Sequence, residues 1–397
     1  MKNVHPLLIF VLALGVFGII TTEMGIIGVL PEVTQQFRIT AAQAGWLVSI
    51  FALVVAVSGP FLTLLASGIN RKTILLSAVL LFALSNTVYA FAESFETMLI
   101  FRILPALAHP VFFSVALVAA AELVPREQSG KAVTKVFAGI TVGFAFGVPL
   151  TSYLAKSVSL EAAFLFAAAV SLIAFAGILF GLPSMPAREK RTYGQQLGIL
   201  RKPQLWLHIA AVTLIFAAMF SVYSYFAEYL GQVAHMSGAW ISAMLMVFGI
   251  VMIFGNFLFG GLLQKSATRT IAAFPLLYAV MYVLVYCLGT SPLSMAVLAA
   301  VWGAVHSGGL IVSQTWLMEE AKEAPEFGNS LFVSFSNLGI TVGAAVGGWF
   351  LTLWGVHQLV WSGVLFALLA FVSILAKLVR GKSQQSILRG GTITEKH

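Results

Sequence analysis

The feature that leaves this chain the fewest options is a series of apolar runs about 20 residues long, the length a helix needs to cross a bilayer. They fall at residues 6–30, 44–67, 73–92, 97–121, 132–155 and 160–182, then at 204–230, 239–262, 270–288, 292–318, 328–354 and 358–380. A helix satisfies its own backbone hydrogen bonds in hydrocarbon, so each run reads as one span. Charged residues are 9% of the chain and mean hydropathy is +0.98, against about a quarter charged in a soluble chain. The reading is an all-α membrane protein of twelve transmembrane helices. The N-terminal run carries no small-residue cleavage site and is taken as a first span, not a cleaved signal. With one cysteine, Cys287, no intramolecular disulfide can form.

Within these runs the pentapeptide Gly-Ile-Thr-Val-Gly occurs twice, from Gly139 to Gly143 and from Gly339 to Gly343. The four-residue spacing continues to Gly147 and Gly347, so one face of the fifth and of the eleventh span is bare. Helices in lipid associate by close packing, and small residues at this spacing let two backbones approach. The copies stand 200 residues apart in a chain of 397, as two fused halves of equal size require. Residues 1–182 therefore form one six-helix bundle and 204–380 its pseudo-symmetric partner. Residues 183–203 form a cytoplasmic linker, and 381–397 a polar, disordered cytoplasmic tail.

Orientation follows from the basic residues, which collect on the cytoplasmic side of a membrane. With the N-terminus inside, 19 of the 22 lysines and arginines are cytoplasmic, Arg71 and Lys72 among them. Arg38 and Lys156 lie outside, and Arg102 falls within a span. Both termini are thus placed in the cytoplasm. The formal charge of +8 is a topology signal and an attraction to the inner leaflet, not a nucleic-acid footprint.

An ionisable group in mid-span costs roughly 2.5 to 3.5 kcal/mol on insertion scales, so each needs a partner or a purpose. All fourteen acids are glutamates, and Glu23 lies about 17 residues into the first span, roughly 25 Å deep. Arg102, descending in the fourth span, reaches a similar depth. The pair is expected to interact, burial and the guanidinium competing to set a protonation switch on Glu23. The alternative has Arg102 reaching to the outer head groups and Glu23 bonded to Thr21 or Thr22. His109 and His306 are 197 residues apart, each near the middle of its helix. They suit a cavity-lining role in proton or substrate work, but are too isolated for a metal. Tyr223 and Tyr225 of the seventh span, with Trp302, His306 and Gln314 of the tenth, offer the rings and polar handles of a largely apolar pocket. Asn86, Asn256 and Asn337 are read as interhelical hydrogen bonders. There is no phosphate-binding glycine loop, metalloprotease signature or cysteine pair. An enzyme is therefore disfavoured, and no cofactor is expected beyond an ion gradient.

These residues resemble the major facilitator superfamily, in particular its twelve-helix drug:proton antiporter branch, which includes sugar and purine exporters. Glu23 through Gly28-Val29-Leu30-Pro31 looks like the first-helix motif of that branch. Arg102 matches the fourth-helix arginine, with Ala106 where a glycine is usual, and Gly139, Gly143, Gly147 and Pro149 resemble the fifth-helix antiporter motif. The resemblance implies alternating access, with the first, fourth, seventh and tenth spans lining a cavity. It departs in the loop Ser67 to Lys72, which lacks the usual aspartate and leaves Arg71 without that partner. The expected function is export of a small amphiphilic or hydroxylated solute (a drug, a sugar or a purine-like compound) in exchange for protons. Glu23 and Arg102 would couple protons. His109, Tyr223, Tyr225, Trp302, His306 and Gln314 would bind the solute. The two glycine faces, Pro149 and Arg71 would serve the conformational change. Its partners are the solute, protons and membrane lipids, not nucleic acid, and it is expected to act as a monomer in a bacterial inner membrane. Import, uniport or a non-transporting receptor are the alternatives.

Overall fold

The computed structural model describes residues 6–66, 68–186, 198–323 and 325–391. Most of the linker, including Arg188, Glu189, Lys190 and Arg191, lies outside them. The described residues are helical almost throughout. The first half comprises α1 (Pro6–Phe37), the short α2 (Ala41–Ala44), α3 (Trp46–Ala66), α4 (Arg71–Ala90), α5 (Phe95–Glu122), α6 (Ser129–Val142), a π turn (Gly143–Gly147), α7 (Val148–Ser157) and α8 (Leu160–Gly181). The second comprises α9 (Pro203–Tyr223), α10 (Phe226–Gln232), α11 (Gly238–Leu288), α12 (Pro292–Glu320), α13 (Pro325–Trp354) and α14 (Val360–Gly391).

Eleven helices among the described residues are long and apolar enough to cross a membrane. One of them, α11, is 51 residues long, which would make a straight rod of roughly 75 Å against about 30 Å of hydrocarbon. It breaks at Ser266, whose backbone is extended (φ −161°, ψ 89°), between Lys265 and Arg269, so its two limbs are the eighth and ninth spans and the twelve expected crossings are present.

The helix starts are written locally. Asn70, Ser94, Ser159 and Ser291 each accept a backbone N–H of the first turn of the helix that follows, satisfying donors that a helix leaves free. Three boundaries differ from the sequence reading. Helix α1 runs on to Phe37 through Pro31. The seventh span is interrupted at Ser224 and Tyr225, between α9 and α10. Beyond the last span, α14 continues to Gly391 where an irregular tail was expected, because Lys382 through Arg389 contains neither proline nor glycine to stop it.

The glycine repeats do what their spacing implies. A Cβ at Gly139 would stand 2.5 Å from the Ala13 carbonyl oxygen and one at Gly143 2.5 Å from Ile20 Cγ2, while Gly147 abuts Thr21. The fifth span thus lies directly on α1. In the second half Gly339, Gly343 and Gly347 press on the α9 backbone at Thr213, Ala217 and Ser221. Fifth on first and eleventh on seventh are equivalent contacts; the second seats backbone at each glycine, while the first takes the Ala13 carbonyl and the side chains of Ile20 and Thr21. The π turn falls on Gly143–Gly147, next to Pro149, whose missing N–H cannot close a regular turn.

Between the halves, α13 packs along α3 and α2, while α11 lies against α7 and the π turn and touches α6 only sparsely. Helix α10 meets α1. The polar contacts between the halves lie toward the end of the bundle opposite the chain termini, here called the far end. Ser242 donates to Ser152 across the halves at 3.1 Å, Thr341 donates to the Ser49 carbonyl at 3.3 Å, and Gly249 lies against the backbone of Phe144 and Ala145.

Candidate functional site

In the first half the site is built by α1 and α5, with α3 and α4 behind them. Arg102 is 1% exposed, and three of its N–H groups are fixed. Nε donates to the Leu47 carbonyl (2.9 Å), one terminal nitrogen to that of Thr22 (2.8 Å) and the other to that of Glu23 (2.7 Å). Its guanidinium also lies over the Phe51 ring, 4.6 Å from the centroid, a favourable seat for a desolvated cation. Arg102 therefore clamps α1, α3 and α5 together through main-chain oxygens and does not reach toward head groups.

The Glu23 carboxylate is directed elsewhere. Its Oε2 lies 3.0 Å from His109 Nε2, and both residues are buried. The contact is an ion-pair approach without hydrogen-bond alignment, and His109 Nδ1 has no partner. Arg102 and Glu23 thus lie next to each other, but the guanidinium meets the Glu23 main-chain carbonyl while the carboxylate faces His109. Seven residues separate Arg102 from His109, two turns of α5, or roughly 10 Å, so one helix presents both groups to α1 at different depths. Neither threonine holds the carboxylate: Thr21 donates to the Phe17 carbonyl and Thr22 to that of Gly18. Asn86 of α4 donates to the Thr22 hydroxyl at 2.8 Å, the interhelical bond expected of it. Asn337 donates within its own helix to Val333, and Asn256 Oδ1 and Asn337 Oδ1 are buried without partners.

In the second half, α9 and α12 bring together Tyr223, Trp302 and His306. Trp302 Nε1–H donates to the Tyr278 hydroxyl (2.9 Å), which is 2.7 Å from His306 Nδ1. The Tyr278 hydroxyl thus ties the Trp302 indole to one ring nitrogen of His306 and leaves the other, Nε2, without a partner. Nε2 is buried. Around His306 stand the rings of Tyr223 (4.8 Å between centroids), Phe248 (5.2 Å) and Phe220 (5.6 Å). The first half thus carries a carboxylate–imidazole pair, and the second an aromatic shell around its own histidine.

Tyr225 does not join this shell. Its hydroxyl donates to the Ala344 carbonyl at 2.8 Å, and its ring fills the space left by Gly45 and Gly348, pinning α9 to α13 at the interruption in the seventh span. Gln314 lies nearer the terminus end, 3.5 Å from Asn329 Oδ1. Tyr278 escaped the sequence reading, although with Tyr282 it forms a pair four residues apart in mid-span, too deep for an interfacial belt. Arg71 pairs with Glu122 within the first half. Its N–H bonds the Met185 carbonyl at 3.0 Å, and Asn70 donates to Ser184 Oγ at 2.7 Å. Where an aspartate was missing, the loop is tied to α5 and to the segment following α8. Among the described residues no group of three or more His, Cys or Glu is placed to hold a metal.

Eleven membrane-length helices among the described residues, one of them broken into two spans, with glycine seams in equivalent positions of both halves and scarce buried ionisable groups on α1 and α5, define a multi-pass membrane transporter. The chain belongs to the Major Facilitator Superfamily, whose family model matches residues 12–324. It is 33% identical to the inner membrane transport protein YdhP of Escherichia coli K12, over 88% of this chain and 89% of that one. It is 30% identical to a chloramphenicol resistance protein of Streptomyces lividans, over 86% and 88%. Among solved structures it resembles a bacterial homologue of the human lysosomal transporter Spinster in an inward-facing, unoccupied conformation. The TM-score is 0.79 at 16% identity, covering 95% of this chain and 97% of that one. The protein is a transporter and not an enzyme.

Proposed function

We propose that this transporter exports a small amphiphilic or hydroxylated solute in exchange for protons, by alternating access, from a bacterial cytoplasm. The observation that carries the reading is the buried contact between the Glu23 carboxylate and His109, with Arg102 engaged by main-chain carbonyls. A carboxylate with only a titratable partner is free to take up and lose a proton, whereas one clamped by a guanidinium would be held ionised. In this reading Glu23 exchanges the proton, His109 shares its charge, and Arg102 holds the helices in register. The solute meets the aromatic shell of Tyr223, Phe248 and Trp302, with the unpartnered His306 Nε2 as the polar contact. Lysines and arginines concentrated at the terminus end support a cytoplasmic location for both termini. The resistance protein among the relatives supports export.

The test is counterflow in proteoliposomes against a panel of sugars, nucleobases, amino acids and aromatic drugs, with and without a pH gradient. One class of solute should exchange, and an inside-acid gradient imposed on inside-out protein should drive its accumulation in the direction opposite to proton flow. Exchange unaffected by any pH gradient would replace antiport by uniport. Accumulation in the same direction as protons would make the protein an importer.

A further inference from the structure

At the far end the two halves enclose a cavity of about 480 Å³, within the size range of small-molecule sites. Its polar groups come from both sides: Glu32 and Gln35 of α1 and Lys156 of α7 from the first half, Glu228 and Gln232 of α10 from the second. Gln35 and Gln232 are exposed, so the cavity opens to the far face. Lys156 and Glu32 are withdrawn into it, and neither is satisfied. The Lys156 side chain is 10% exposed, and among the described residues nothing hydrogen-bonds its Nζ or the buried Oε2 of Glu32. They do not satisfy each other, because Nζ stands 3.9 Å from Glu32 Oε1, too far for a hydrogen bond.

A lysine at a membrane boundary ordinarily carries its ammonium out to water. This one is turned inward, its stem laid on the second half, where a Cβ at Gly238 would stand 2.9 Å from Lys156 Cδ. Leaving a buried ammonium and a buried carboxylate oxygen unpaired costs more than an ordinary hydrogen bond gains, so an occupant that completes both is favoured. Glu228 adds a second acid. One of its oxygens accepts from Gln232, and since a carboxylate offers about four lone-pair sites, most of its capacity is open.

The chemistry of the wall specifies that occupant. Glu32 and Glu228 call for donors and Lys156 for an acceptor, with two acids set against one base. Water can donate and accept but brings no charge, whereas an ammonium group supplies three donors and the balancing cation. It has no acceptor, so Lys156 needs an oxygen elsewhere on the same molecule. We propose that the cavity binds a small monocationic amine that carries hydroxyl groups, an amino alcohol or amino sugar, with its ammonium between Glu32 and Glu228 and a hydroxyl oxygen on Lys156. This site is separate from the aromatic shell of His306 and depends on neither the direction of transport nor a proton gradient. Its two acids belong to different halves, so the occupant bridges them and stabilises the state in which the far end is shut.

The test uses the full-length protein in lipid nanodiscs at neutral pH, with Cys287→Ser to remove the native thiol and Gly231→Cys as a reporter in the cavity wall. A Cβ at Gly231 has Ile241 Cδ1 nearest, at 3.5 Å, so the cysteine fits. The probes share one shape: serinol carries an amine and hydroxyls, glycerol hydroxyls alone and isopropylamine the amine alone. Each is tested for slowing the reaction of Gly231→Cys with an uncharged maleimide. Serinol should protect at concentrations about tenfold below those of glycerol and isopropylamine, the effect of one charge-assisted hydrogen bond. Glu32→Gln and Glu228→Gln should each weaken that protection by a similar factor, and Lys156→Gln should remove the preference for serinol over isopropylamine. No protection, or equal protection by serinol and glycerol, would overturn the proposal, as would serinol protection undiminished in both glutamine variants. If Lys156→Gln does not purify as a single species, the Glu32→Gln and Glu228→Gln proteins decide. The assay uses no transported solute and no gradient, so a failed site leaves the export reading standing.

Discussion

Arg102 and Glu23 are neighbours whose roles are set by what each side chain can bond. The guanidinium has five donors in a fixed fork, and Arg102 directs them at carbonyls of three helices. Lysine brings three donors from a single nitrogen and cannot span the same oxygens. Arg102→Lys should therefore lower thermal stability in detergent by roughly 5 to 10 °C, with proton coupling retained in the protein that folds. Lost coupling at unchanged stability would contradict the clamp. On the other side of the site, Tyr278→Phe removes the hydroxyl that joins Trp302 to His306 and frees Nδ1. The apparent KM for the solute should rise several-fold, with dependence on the pH gradient intact. A variant that loses gradient dependence and keeps its KM would move the proton path into the second half.

The glycine seams carry the argument at the level of helices. Gly143 has Ile20 Cγ2 at 2.5 Å from where its Cβ would stand, so Gly143→Leu should prevent α6 and α7 from seating on α1 and reduce transport at least tenfold. Gly260, with nothing within 4 Å of a Cβ, should accept leucine without loss of flux. Equal effects at the two sites would remove the packing role of the repeat. The seams were legible in the sequence because a spacing of four and an offset of half the chain are properties of the letters themselves. The spans were legible for the same reason, through hydropathy. Side-chain pairing was not. Depth along a helix brought Glu23 level with Arg102, but the backbone carbonyls that occupy the guanidinium have no signature in the sequence. His109 and Glu23 stood among the candidates, yet their contact depends on how α5 is rotated against α1. Tyr225 was given a pocket role from its ring and hydroxyl. The break at Ser224, which turns it onto Ala344, is marked by neither glycine nor proline.

Across the molecule, the halves meet along α3 with α13 and α7 with α11, and polar cross-half contacts gather at the far end. The central claim is that Glu23, buried against His109 and not against Arg102, is the group that exchanges the proton. The most direct test compares Glu23→Gln with the parent protein in the same proteoliposomes, using the solute identified by counterflow. The variant should retain solute–solute exchange in the absence of a gradient and lose all accumulation driven by a pH difference. Accumulation driven by a pH difference at the parent rate in Glu23→Gln would contradict the account.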